Sequence, residues 1–185
     1  MISSNRALPC TRRHVPLRIN SREYNGDLRF IRILCDEGYL HKLKQPVKNN
    51  ICFLEKINFG ETEGNVRKIL GEPFFIYRKN LSGMPHTVYT YGLKSGINKL
   101  KVELHFLEKH FFLGTIFYNA ENINDSDLNR YFRETFNLGL FHLKRDIIVD
   151  PSDNFLEFHY EPNCFIMTFS KMKWIKSTNI AQNIN

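Results

Sequence analysis

The sequence predicts an α+β protein whose short helices are each followed by a run of antiparallel strands. Helical periodicity is confined to short stretches with capping residues at their ends. Two-residue alternation and hairpin punctuation dominate between and after them. Because the strands come in groups after each helix, hairpin pairing is favoured over βαβ winding.

Residues 1–26 read as irregular, ending at Asn25-Gly26. The stretch 27–44 has two readings that periodicity leaves open. Leu28, Ile31, Leu34 and Cys35 make one face of a helix capped by Asp27, whereas DLRFIRILC and YLHKLK make two strands joined at Asp36-Glu37-Gly38. Gln45-Pro46 and Asn49-Asn50 mark a loop. A helix then follows with both ends specified. Thr62 is its N-cap, Val66, Ile69 and Leu70 share a face, Gly71 takes the left-handed position after it, and Pro73 forbids continuation. FFIYRK and HTVYTYG read as strands. In the next strand Leu100, Val102, Leu104 and Phe106 alternate with Lys99, Lys101, Glu103 and His105, a period of two with one solvated face. Glu108-Lys109 supplies the turn and FFLGTIFY returns.

A second helix, capped by Asp125 or Ser126 and closed by Gly139, carries Leu128, Tyr131, Phe132 and Phe136. RDIIV, FLEFHY and CFIMTFS complete the strands. The body is thus a helix with four strands and then a helix with three, the pattern of a duplicated unit. At 185 residues the chain is one domain spanning 27–176, with halves at 51–119 and 120–176, an amino-terminal arm at 1–26 and a tail at 177–185.

The net charge of +7 is concentrated at the amino terminus. Residues 1–50 carry ten Lys and Arg against four Asp and Glu, whereas the rest is nearly balanced, and no acid precedes Glu23. Arg6, Arg12, Arg13 and Arg18 therefore have the composition of a phosphate-contacting arm, of a targeting leader, or of a solvated leader. No apolar run reaches the ~18 residues of a membrane helix. No signal-peptide core precedes the domain, and no apolar stretch precedes Cys10. A cytoplasmic protein with reduced thiols at Cys10, Cys35, Cys52 and Cys164 is expected.

Gly60, Thr62, Val66, Leu70, Gly71 and Pro73 fall at the spacing G-x-T-x3-V-x3-L-G-x-P. This string resembles the helix-opening signature of the small outer-membrane lipoproteins of the barrel-assembly machinery, and of the wider group similar to the β-lactamase inhibitory protein. The following hairpin, LKVELHFLEKHFF, is similar too. The resemblance implies a short helix followed by an antiparallel sheet, sometimes duplicated, that binds other proteins and has no active site.

Residue chemistry offers several sites and a plainer reading of each. His105 and His110 can meet across a hairpin, but a metal needs a third ligand at a distinctive spacing, so both are read as surface histidines. Cys164 and His159 flank one turn, yet a cysteine in CFIMTF is a buried structural residue by default. Asp146, Asp150 and Asp153 surround a D-P-S-D-N turn and are read as turn-forming. Gly60, Gly64 and Gly71 lack the Lys-Ser/Thr pair of a phosphate loop. Tyr89 and Tyr91, with Arg78, Lys79 and Lys94 nearby, make a base-stacking platform or, more plainly, strand packing. No cofactor is expected.

Three function classes follow. One is a non-catalytic protein-binding module (adaptor, inhibitor or immunity-type), with an interface on Lys99, Lys101, Glu103 and His105. A second is a nucleic-acid-binding protein using the Arg-rich arm. The third is an enzyme whose site is assembled from residues scattered in sequence.

Overall fold

A computed structural model describes residues 42–54, 56–81, 83–95, 98–119, 124–161 and 164–171. Its elements are β1 (Leu43–Pro46), α1 (Glu63–Leu70), β2 (Phe75–Leu81), β3 (Met84–Ser95), β4 (Asn98–Leu107), β5 (His110–Asn119), α2 (Asp125–Phe136), β6 (Asp146–Val149), β7 (Asn154–Glu161) and β8 (Cys164–Lys171). The eight strands form one sheet in the order β1-β6-β7-β8-β5-β4-β3-β2. All pairings are antiparallel except β1 with β6. The protein is α+β, with the sheet dominant. The arm with Arg6, Arg12, Arg13 and Arg18, the alternatives for 27–41, Cys10, Cys35 and the tail lie outside the described residues.

Local chemistry fixes the helices. Thr62 caps α1, its hydroxyl accepting from Asn65 N at 3.3 Å, and Gly71 follows at φ +84°. A side chain is strained at that angle, which is why glycine stands there. The ends of α2 differ from expectation. Its cap is Asn124, whose side chain accepts from Ser126 N at 2.9 Å, one residue before Asp125. Asn137, not Gly139, takes the left-handed position at φ 51°, ψ 47°, and Leu138 N closes on Arg133 O. Asparagine tolerates that region, so the helix reverses at once and needs no glycine. Gln45-Pro46 is not a loop but the end of β1. A proline is accommodated there because β1 is an edge strand. The Glu108-Lys109 turn forms with both residues at positive φ, the geometry that matches strand twist in a two-residue hairpin.

Helices and loops cover one face of the sheet. Val66 of α1 and Phe132 of α2 are buried there, and Phe132 packs on Phe158 at 4.7 Å between ring centroids. Between the helices lies Phe53, fully buried, with its ring against Phe111 and Phe169. Phe53 occupies the space over Gly114 in β5, where an added Cβ would come within 2.5 Å of the phenyl ring. Glycine in a central strand thus marks the close approach of another group.

Asp150 ties this segment to the far side of the sheet. Its buried carboxylate accepts from Ile51 N (2.8 Å), Ser152 N (2.8 Å), Asn154 N (2.9 Å) and Asn154 Nδ2 (2.8 Å). Asp146 similarly accepts from His142 N and Gln45 Nε2. The turn-forming reading of these aspartates is met and extended, since both also hold residues distant in sequence.

Two substitutions test this packing. Gly114→Ala is expected to destabilise by about 1–3 kcal/mol, as overpacking does. Combining it with Phe53→Leu should cost less than the sum of the two single changes, measured by urea denaturation. Thr62→Ala should cost about 1 kcal/mol through loss of the cap.

Candidate functional site

The face of β4 carrying Lys101, Glu103 and His105 is buried and not solvated. Lys101 is 9% exposed, Glu103 6% and His105 1%. The side chain of Lys99 lies outside the described residues. The physical reason is in the neighbouring strands. β5 and β8 are buried on both faces along nearly their whole length, and β4 lies beside β5 in the part of the sheet that excludes water on both sides. The alternation in β4 marks two buried faces of different polarity.

Register places these residues in a polar row across five strands. Thr90, Glu103, Thr115, Thr168 and Glu157 stand opposite one another in turn, all buried. Beside the row, Lys101 Nζ meets Glu103 Oε1 at 2.6 Å, and His159 Nε2 meets Glu157 Oε2 at 3.1 Å. His86 Nε2 and His105 Nδ1 lie 3.2 Å apart, so one of the two nitrogens must carry the shared proton. Thr115 Oγ1, Thr168 Oγ1, Ser170 Oγ and Glu157 Oε1 are buried with no hydrogen-bond partner among the described residues. The helices and loops described above all pack on the opposite face.

Burial sets the protonation of this layer. Desolvation, with Lys79 nearby, lowers His86 to about 4. His105 is lowered well below the usual imidazole value by desolvation, then by His86, Lys79 and Lys101. Desolvation and Lys42 lower His159 to about 4. Glu157 is raised well above the carboxylate range by desolvation. A neutral glutamic acid hydrogen-bonded to a neutral imidazole is the arrangement these directions favour.

The other sequence candidates are placed plainly. His110 does not join His105: its Nδ1 meets Gly60 O at 3.0 Å, away from the histidine pair. Neither histidine is on a wet surface, His110 being half-buried. Among the described residues no group of three or more His, Cys, Asp or Glu could hold a metal ion. Cys52 and Cys164 are thiols. Cys164 Sγ donates to Phe165 O and His159 turns to Glu157, so no thiol–imidazole pair is assembled there. Tyr89 and Tyr91 are buried under α1 and cannot stack bases. The Tyr89 hydroxyl donates to Glu63 Oε2 at 2.6 Å and accepts from Arg67 Nη2 at 2.7 Å, while Tyr91 donates to Gly71 O.

One surface was missed in the sequence. β2 is the outermost strand at its end of the sheet, and among the described residues nothing pairs with its outer edge. At its start Phe74 and Phe75 are 52% and 51% exposed. Adjacent large apolar side chains left in water on an open edge are unusual, because such an edge is a template for another strand. The FF pair beside an edge was the available signal, but which strand lies at the edge is a property of topology. Among the described residues no helix is long and apolar enough to cross a membrane.

Comparison with protein-family models, curated proteins and solved structures returned no match.

The buried histidines give the stability a pH dependence with a definite sign. A depressed folded pKa means stability present above the unfolded value of 6.5 and lost as pH falls through the folded value. Glu157 acts in the opposite sense, its contribution being present below 4.5 and lost as pH rises through its raised folded pKa. With three histidines against one glutamate, the unfolding free energy should fall between pH 6.5 and about 4. His86 alone contributes on the order of 3 kcal/mol. Urea midpoints across that range should fall, and His86→Gln should flatten the curve.

Proposed function

We propose that this is a non-catalytic protein-binding module of the cytoplasm, an adaptor, inhibitor or immunity-type protein, whose contact surface is the open edge of the sheet at β2. The observation that carries this is the exposed aromatic pair Phe74-Phe75 at the start of β2, an edge strand whose outer side pairs with nothing among the described residues. Aromatic side chains dominate binding hot spots because they remove much area from water at little entropic cost. The resemblance of Gly60–Pro73 to families that bind other proteins points the same way. So does the helix-plus-strands order of the two halves, read as a duplicated unit. The interface expected on Lys101, Glu103 and His105 moves to the edge, because side chains excluded from solvent offer no surface.

The test is comparative capture from cells with the wild-type chain and with the double variant Phe74→Ser, Phe75→Ser. Removing exposed side chains should change stability by no more than about 0.5 kcal/mol each, which denaturation verifies. Proteins retained by the wild type should be lost or strongly reduced on the variant. An unchanged set of retained proteins would overturn the assignment.

A further inference from the structure

We propose that the occupant of the β2 edge is an extended, acidic segment of a different protein, which adds as a ninth strand beside β2. This rests on the reading of β2 as the binding edge and adds the mode of binding and the chemistry of the partner.

Two observations choose the occupant. The first is charge. β2 itself, Phe75–Leu81, holds Arg78 and Lys79 and no Asp or Glu. Arg78 is exposed at the middle of β2, with Lys79 next to it. A strand laid beside them meets Arg78 in water on one face and, on the other, Lys79, which is half-buried with its Nζ over the Tyr77 ring. A carboxylate on the Arg78 face of the incoming strand therefore finds a partner directly across.

The second observation weighs against a second copy. Two β2 strands paired antiparallel about their midpoint would set Arg78 opposite Arg78, each flanked by the other's Lys79. Like charges directly opposite are destabilising. The overall charge of +7 adds repulsion at longer range. Basic residues on an edge strand thus disfavour self-pairing in the central register and favour an acidic chain. Phe74 and Phe75, at the amino-terminal end of β2, then favour an apolar residue at the opposing end of the occupant. Backbone hydrogen bonds supply affinity and the side chains supply selection.

The experiment uses the full chain and synthetic peptides of about ten residues, the length of an ordinary strand. One peptide alternates valine and glutamate, a second alternates valine and lysine, and a third is the glutamate peptide methylated on alternate backbone amides. Fluorescence anisotropy at low and raised salt reads binding. The glutamate peptide should bind about tenfold or more tightly than the lysine peptide at low salt, and more weakly as salt rises. Arg78→Glu should reverse that preference, with the urea midpoint unchanged. Methylation on the register that faces β2 should abolish binding, because the ladder donors are gone.

Equal binding of the methylated and unmethylated peptides would overturn strand addition. Equal binding of the glutamate and lysine peptides would overturn the acidic preference, and failure of the glutamate peptide to bind would overturn both. Each of these results leaves the broader reading to the Phe74/Phe75 variant, which probes the same edge through apolar contact. If that variant still loses its cellular partners, the edge is the interface and its occupant is of another chemistry.

Discussion

The close seat of Phe53 over Gly114 is the constraint on which this molecule depends. β5 and β8 meet at the centre of the sheet and are the last strands of the two helix-led groups. Phe53 lies over that junction, touching Phe111 of β5 and Phe169 of β8. The phenyl ring can approach only because residue 114 has no Cβ. The chain around Phe53 is then held from two sides. The Asp150 carboxylate binds Ile51 N, and the 60–63 stretch is laced to the start of β5 by Gly60 N to Phe111 O and Phe111 N to Glu61 O. That lacing places Thr62, and with it the first turn of α1. A side chain at position 114 would therefore disturb the junction of the two groups and the seat of the helix together.

The two faces of the sheet meet the same demand, exclusion of water, by different chemistry. The helical face is packed with phenyl rings and aliphatic side chains. The other face carries a buried row of hydroxyls and carboxyls beside paired imidazoles. Buried polar groups cost free energy unless they are paired, and several hydroxyls in this row have no partner among the described residues. Keeping the histidines neutral limits that cost, and it couples the layer to pH through desolvation. Phe74 and Phe75, at the rim, are half-exposed, unlike the side chains of either face of the sheet centre.

Much of this was legible in the sequence, for identifiable reasons. Thr62 and Gly71 announced α1 because capping and positive φ are local properties. The hairpins at Glu108-Lys109 and 150–153 were readable for the same reason, as was the α+β class. The ends of α2 were misplaced by one or two residues because Asn124 and Asn137 do the work assigned to Asp125 and Gly139. Burial of Lys101, Glu103 and His105 was not visible in β4, whose alternation is that of a half-wet strand. The signal lay in β5 and β8, where consecutive apolar residues (Phe111-Phe112-Leu113 and Phe165-Ile166-Met167) fall on both faces, but using it needs the strand order. The β2 edge was hidden for the same reason, since nothing local in FFIYRK says that this strand lies at the end of the described sheet.

The central claim is that partner recognition runs along the β2 edge and not over a sheet face or a helix. Residue-resolved amide hydrogen exchange, with and without a captured partner, tests it most directly. Strand addition predicts slowed exchange at alternate amides of β2, those not bonded to β3, with little change in α1, α2 or β4. Protection confined to α2 or spread over the 137–145 loop, with β2 unchanged, would contradict the account.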